Sequence, residues 1–356
     1  MANTSATNLS RETHAIMQGI MTMSVATIIA WAYFLMRNTT MITYTDIGSI
    51  AGIIGFLSSF VIFVRGFSRS LSAQNIQARF GLWKYLKPTL SYVFALGNSL
   101  PFIIASITIG VAADNAFSQK IDGSFISSLM IGIVVATQTY ASSRQSYTLS
   151  SEKIAASISA LLVVGSVSAT LLSDSTDWWY KHFSAIGATA NLSSFIFNSS
   201  VVISGVMLIC LAAMLAYDIR RLRVPPHTSS NMRPNWVRIM LLMLSLSGVM
   251  AIITGAIPYT NNFVVHDTAA KAIVIFLGLM IAVAPWALTV FSKQFTYASY
   301  GLLFVMGWLW PPVATGALKL SLYEILSGVL CLLWLTIFTR YISFIPTGQD
   351  HTLHHD

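Results

Sequence analysis

The sequence predicts an all-α bundle of about ten membrane-spanning helices, with both the N-terminus and the C-terminus in the cytoplasm. Of the 356 residues, 55% are hydrophobic and only 9% are charged, whereas a soluble chain carries about 25% charged residues. The mean hydropathy of +0.70 agrees with this composition, and the apolar runs reach the length of about 20 residues that crosses a bilayer. So few charges cannot cover a water-exposed surface, so the composition excludes a soluble enzyme.

Ten apolar runs provide the predicted spans. The first run is too long for a signal-peptide core and has no small-residue cleavage site behind it, so we expect it to be retained. The fourth and fifth runs are less apolar than the others because both are rich in serine and alanine. The spans lie at about 15–36, 47–64, 89–112, 124–143, 151–172, 194–217, 236–257, 269–291, 296–317 and 320–341.

The basic residues determine the predicted orientation. With a cytoplasmic N-terminus, 15 of the 20 lysines and arginines fall on the inner side, as the positive-inside rule expects. The outer side then holds Arg37, Lys120, Lys181, Lys271 and Lys319. The net charge of +8 therefore indicates topology and attraction to anionic headgroups, and we expect no nucleic acid as a partner.

Three segments divide the chain. A four-span block, 1–145, precedes a six-span block, 146–343, and a histidine-rich tail, 344–356, follows them. The first block contains a basic cytoplasmic loop, 65–88, which is predicted to be either a solvated loop or an interfacial helix. We expect the tail to be a disordered cytoplasmic segment.

Polar residues on the predicted outer side indicate where chemistry takes place. Seven of the 12 acidic residues and two of the seven histidines belong to that side. His182 lies in the stretch STDWWYKHFSAIG after the fifth span, and His266 and Asp267 come just before the eighth span. If spans five to eight are neighbours, these three residues converge at one site.

Three interpretations fit this set of residues. His182, His266 and Asp267 could act in acid–base catalysis, or the two histidines could bond to loop backbone and hold two hairpins in place. No cofactor is expected, but a divalent metal such as zinc, held by the same three residues, is kept as an alternative although no metal-binding spacing is present. The expected substrate-binding residues around them are Asp177, Lys181, Asn198, Lys271 and Glu324.

Three stretches of the second block form a recognisable pattern, DWWYKHFSAIG, SSFIFNSSVVISG and GAIPYTNNFVVHDTAA. Over roughly residues 155–341 this pattern resembles the bacterial integral-membrane family called domain of unknown function 998, which is distantly similar to the Frag1/DRAM/Sfk1 group. The resemblance implies a bacterial membrane and no assigned reaction, and the Frag1 side of the group implies a role in lipid remodelling or organisation. The matched positions are Trp178, Trp179, Phe183, Ser184, Gly187, Phe197, Asn198, Gly205, Gly255, Pro258, His266 and Asp267.

These observations together predict a multi-pass plasma-membrane protein whose partners are membrane lipids, with an envelope or membrane protein partner left open. The predicted function is to organise or handle lipid or cell-envelope components through an outward-facing polar site. One alternative is a lipid- or envelope-modifying enzyme that uses His182, His266 and Asp267. The other is a transporter or lipid translocase in which Asn98, Asn198 and Glu324 line a path.

Overall fold

A computed structural model describes residues 2–73, 83–117, 119–147, 150–174, 176–221, 233–288 and 290–344. Two of the predicted features lie partly outside these ranges. Residues 74–82 of the basic loop and residues 345–356 of the histidine-rich tail are not among them.

The described residues are mostly α-helical. Two short 3-10 helices, Asp177–Trp179 and Phe183–Ala188, lie between the fifth and sixth α-helices, and strands β1 (Met41–Ile42) and β2 (Ile121–Asp122) are two residues each. The α-helices are α1 (Ala2–Met36), α2 (Tyr44–Ala73), α3 (Trp83–Ala116), α4 (Ser124–Ser146), α5 (Ser151–Leu171), α6 (Leu192–Arg221), α7 (Pro234–Ala256), α8 (Phe263–Ala287), α9 (Lys293–Trp308), α10 (Trp310–Ala314) and α11 (Leu320–Phe344).

Nine of these helices, within the described ranges, are long and apolar enough to cross a membrane. Large apolar side chains lie on their outer surfaces, for example Ile28 at 63%, Ile133 at 50% and Val167 at 53% exposure. A water-soluble protein does not expose such rows of side chains. The prediction of an all-α multi-pass membrane protein is therefore confirmed.

The ninth predicted span, 296–317, differs from the other nine. It consists of α9, which is 16 residues long, and α10, which is five residues long. Pro311 and Pro312 follow the end of α9 and have no backbone N–H to continue its hydrogen bonds. Pro311 instead occupies the first turn of α10, where no intrahelical donor is required.

The chain divides into two compact units. The first contains Met1–Leu149 together with Val163–Leu172, the second half of α5. In this unit α1 packs on α4, and α2 packs on both α3 and α4. At one end of the unit β1 and β2 pair antiparallel, with Met41 opposite Asp122.

Polar side chains join the helices of the first unit. The amide of Asn98 donates to Ser142 Oγ over 2.9 Å, and the amide of Gln138 donates to Ser106 Oγ over 2.8 Å. Asn98 is only 5% exposed. Lipid supplies no competing hydrogen bonds, so side chains that bond between helices help them to associate.

The second unit contains Ser150–Leu162 and Ser173–Asp356. In it α6 packs on α7, and α7 packs on α8. Gly205 and Gly248 lie at the closest approach of α6 and α7, because a Cβ on either residue would be 2.5–2.6 Å from the backbone oxygen of the other. Gly255 is the second-last residue of α7, and a Cβ there would be 2.7 Å from the backbone oxygen of Asn198. The two helix backbones are therefore in direct contact.

We expect Gly248→Val to lower the thermal stability of the detergent-solubilised protein. The added side chain would overlap the Gly205 carbonyl and force α6 and α7 apart, and such overpacking costs about 1–3 kcal/mol. The melting temperature, followed by circular dichroism or dye fluorescence, gives the measurement.

The matched control is Gly328→Ala in α11, where an added Cβ meets no atom within 4 Å. That variant should melt at the parent temperature or slightly above, since alanine is a better helix former than glycine. Equal melting of the Gly248→Val variant and the parent would contradict the close approach.

Candidate functional site

Three segments of the second unit meet at one end of its helices. The second 3-10 helix, Phe183–Ala188, carries Ser184. The first turn of α8 carries His266, and α8 begins there because the side chain of Asn262 accepts a hydrogen bond from Val265 N over 3.2 Å. The first turns of α11 carry Glu324.

Ser184 lies between the two histidines that the sequence analysis selected. Its Oγ atom is 3.0 Å from Nε2 of His266 and 3.0 Å from Nδ1 of His182. The other ring nitrogen of His266, Nδ1, is 2.8 Å from the backbone oxygen of Ile257. His266 is 3% exposed, whereas Ser184 and His182 are half-buried.

The Ile257 carbonyl determines where the protons lie in this chain of hydrogen bonds. A carbonyl only accepts, so Nδ1 of His266 carries the proton of that bond. When both histidines are neutral, Nε2 of His266 therefore accepts, and the Ser184 hydroxyl donates to it. A hydroxyl has a single proton, so Nδ1 of His182 in turn donates to Ser184 Oγ. Every donor in the chain then has an acceptor.

The surroundings of His182 favour its neutral form. Burial lowers the pKa of His182 below its usual 6.5, because a charged imidazolium loses hydration there. The nearby His266 and Lys181 lower it further, while Asp267 acts in the opposite direction. His182 also packs edge-on against Tyr259, with ring centroids 4.8 Å apart.

The start of α11 is fastened to the same loop. The carboxylate of Glu324 accepts a hydrogen bond from the backbone N–H of Phe183. Ser321 Oγ donates to the backbone oxygen of Trp179 over 2.8 Å, and Nζ of Lys319 lies 3.8 Å from the centroid of the Tyr180 ring. A cation over an aromatic face is a favourable contact.

Asp267 forms an ion pair with a lysine of its own helix. Its Oδ2 atom is 2.6 Å from Nζ of Lys271, one helical turn further along α8. Asp177 begins the first 3-10 helix, and both it and Lys181 are exposed. Among the residues that the structure describes, no three His, Cys, Asp or Glu side chains lie close enough to hold a metal ion.

A groove of about 710 Å³ adjoins the end of the second 3-10 helix. The amide of Asn198 lines it and also donates to the backbone oxygen of Gly187 over 2.9 Å. The apolar part of the lining includes Phe195, Val202 and Ile203 of α6. The polar part is made of uncharged amides and hydroxyls, which are those of Thr189, Asn191, Ser194, Asn198, Ser199, Thr260 and Asn261.

Sequence reasoning did not select Ser184 as a site residue. The available signals were its place two residues after His182 and its membership of the matched positions of the family resemblance. A serine is common in such a polar loop, so neither signal distinguishes it from its neighbours. Its link to His266, 82 residues away, exists only in the folded chain.

Comparison with known proteins identifies no relative of this chain. No family model matches the chain, and neither a curated protein nor a solved structure matches it. The function is therefore argued from the site itself.

We expect His182 to make the melting temperature of the detergent-solubilised protein fall as the pH is lowered below 6.5. His182 is neutral in the folded protein and protonates more readily when unfolded, so at this residue the unfolded state binds more protons in that range. The stabilisation is complete above 6.5 and is lost as the pH falls toward the lowered folded-state pKa.

His182→Gln should flatten this pH dependence, measured from pH 7.5 to pH 5 by thermal melting. His14→Gln, at an exposed position of α1 in the first unit, is the matched control and should retain the parent profile. A parent-like profile for the His182→Gln variant would show that another group causes the dependence.

Proposed function

We propose that this chain is a multi-pass plasma-membrane protein that binds a membrane lipid in the groove between α6, the end of α7 and the second 3-10 helix. The observation that carries the proposal is the change in the groove lining from polar to apolar. Amides and hydroxyls line the loop end, while Val202 and Ile203 line the part that runs along α6.

The dimensions of the groove support a lipid as its occupant. Helix α6 begins at Leu192, and Ile203 lies 11 residues further on, which is about 16 Å along the helix axis. A headgroup at the loop end would therefore have its hydrocarbon chain alongside α6, at the depth where the bilayer is apolar. Phe195 is 71% exposed and offers a ring to that chain at the groove mouth.

The polar lining supports a headgroup rich in hydroxyl groups. Asparagine amides and serine and threonine hydroxyls both donate and accept hydrogen bonds, as glycerol and sugar hydroxyls do. None of the residues that line the groove is charged, and the nearby Lys271 is paired with Asp267. We therefore propose a neutral, glycerol- or sugar-bearing lipid in preference to a phosphate ester.

The orientation of the second unit supports a ten-span topology with the groove on the outer side. Helix α8 starts at the site and extends about 37 Å away from it, whereas α11 starts at the site again. We therefore propose that the chain between α8 and α11 returns across the membrane, with α9 and α10 as the crossing. The basic residues then favour cytoplasmic termini.

The family resemblance belongs to this proposal as well. Membership of the family called domain of unknown function 998, in a bacterial plasma membrane, agrees with a lipid ligand because the distantly similar Frag1/DRAM/Sfk1 group is associated with lipid remodelling. The single observation on which the proposal stands remains the groove, and it does not depend on that membership.

Photo-crosslinking tests the groove. The full-length protein in detergent micelles is exposed to a diacylglycerol that carries a diazirine in one acyl chain, and the labelled peptide is identified by mass spectrometry. We expect label on α6. Ser199→Trp should reduce labelling about tenfold, equivalent to about 1.4 kcal/mol of binding free energy, because the indole would fill the groove.

The control for this variant is Leu192→Trp, an exposed position at the start of the same helix that does not line the groove. The hydroxyl of Ser199 bonds to the backbone of its own helix, so its replacement breaks no contact between helices. Undiminished labelling of the Ser199→Trp variant would refute the groove as the lipid site. Unlabelled dioleoylglycerol should compete, and stronger competition by dioleoyl phosphatidic acid would refute the neutral headgroup.

A further inference from the structure

We propose that Ser184 is a nucleophile and His266 its general base, and that the pair cleaves the acyl ester of a lipid bound in the neighbouring groove. The inference rests on the proposed lipid-binding function, because the groove supplies the substrate. It goes beyond that function by assigning a reaction, ester hydrolysis, and a catalytic residue that lies outside the acid–base set predicted from the sequence.

The first argument is the geometry of the pair. A serine hydroxyl is a weak nucleophile until an adjacent base takes its proton, and the base needs a third group to orient it. The bond of 3.0 Å between Ser184 Oγ and His266 Nε2 meets the first requirement. The bond of 2.8 Å between His266 Nδ1 and the Ile257 oxygen meets the second.

The Ile257 carbonyl is available for this role because of its place in the chain. Helix α7 ends at Ala256, and Ile257 is the residue that caps it. The last carbonyls of a helix have no intrahelical partner, so this oxygen is free to hold the imidazole. It fixes the tautomer in which Nε2 accepts, as a carboxylate does in a serine hydrolase triad.

The proposed base is more deeply buried than the proposed nucleophile. His266 is 3% exposed, so water has little access to compete for its Nε2 atom. Ser184 is half-buried, and it lies one 3-10 turn before Gly187, which lines the groove. The base is therefore more shielded than the nucleophile, and the segment that carries the nucleophile leads directly to the groove lining.

His182 supplies the remaining contact. Ser184 Oγ has two lone pairs, and one of them accepts the Nδ1–H of His182. The backbone N–H groups of Phe183 and Ala185 are committed to Glu324 and to the His182 carbonyl. We therefore assign the stabilisation of the developing oxyanion to the Nδ1–H of His182. Its present acceptor, Ser184 Oγ, becomes a poorer acceptor on bonding to the acyl carbon, and the oxyanion forms on that same carbon.

The reaction balances with water as the only co-reactant. Ser184 Oγ bonds to the acyl carbon while its proton passes to Nε2 of His266. The ester bond to the leaving alcohol then breaks, and His266 gives the proton to the alkoxide oxygen, which leaves an acyl-Ser184 ester. Water attacks that ester and loses a proton to His266, the acyl bond to Oγ breaks, and the proton returns to Oγ as the carboxylic acid departs.

A fluorophosphonate probe tests the nucleophile, since it modifies only activated serines. The full-length protein in detergent micelles should be labelled, and mass spectrometry should locate the label on Ser184. Ser184→Ala should abolish labelling, and both Ser184→Ala and His266→Gln should slow hydrolysis of dioleoylglycerol by about a thousandfold or more.

The matched control is Ser245→Ala. The Ser245 hydroxyl bonds to the backbone of its own helix, so this variant should retain parent labelling and hydrolysis.

The melting temperature of each variant is measured as a control for folding. Loss of activity in a variant that melts at the parent temperature supports the proposal. Labelling that persists in the Ser184→Ala variant, or a parent protein that the probe does not modify, overturns it. Photo-crosslinking of the parent keeps the two proposals distinct. Lipid crosslinking without probe labelling refutes the nucleophile and leaves the lipid site standing, whereas probe labelling without lipid crosslinking refutes the lipid as the substrate.

Discussion

The second unit depends on the hydrogen bonds of one short segment, the second 3-10 helix Phe183–Ala188. This segment is tied to α8 through Ser184 and His266, to α11 through the Glu324 carboxylate, and to α6 through the carbonyl of Gly187, which accepts from both Ser194 Oγ and Asn198 Nδ2. Each such bond contributes about 0.5–1.5 kcal/mol net, and more is lost when one partner is left unpaired. These bonds therefore hold the N-terminal ends of α6, α8 and α11 together, although the three helices are far apart in the sequence.

Close packing of α6 against α7 makes this arrangement possible. Lipid provides no hydrophobic driving force between helices, so small residues that let backbones touch must provide the association. Gly205, Gly248 and Gly255 have this role. Gly187 extends it to the loop, because a Cβ there would be 2.3 Å from Oδ1 of Asn198. The first unit uses the same device, since a Cβ on Gly48 of α2 would be 2.3 Å from the backbone oxygen of Ser106 and one on Gly110 of α3 would be 2.6 Å from that of Tyr44. In the described part of α4 much of the buried face is serine and threonine.

The site combines a structural and a chemical role in the same atoms. The bond from Ser184 to His266 fastens the loop, and in the proposed reaction the same bond activates the hydroxyl for attack. Both roles require the Nδ1 atom of His266 to be protonated and fixed by Ile257. Because His266 is more deeply buried than Ser184, the proposed base is held away from water while the proposed nucleophile lies on the segment that leads to the groove.

The sequence alone determined the class of protein, since the length and apolarity of a span are local properties that follow from the residues within it. It also selected His182 and His266, because both lie in loops on the predicted outer side, where most of the acidic residues of this sparsely charged chain are found. The ion pair of Asp267 with Lys271 follows the local rule for residues four apart on a helix, and the break between α9 and α10 follows from the tandem prolines. Only the tertiary structure selected Ser184 from the many serines of the chain and made Ile257 the orienting group. Those choices depend on which backbone and side-chain atoms lie within 3 Å of an imidazole after four helices have packed, and no local pattern encodes that distance.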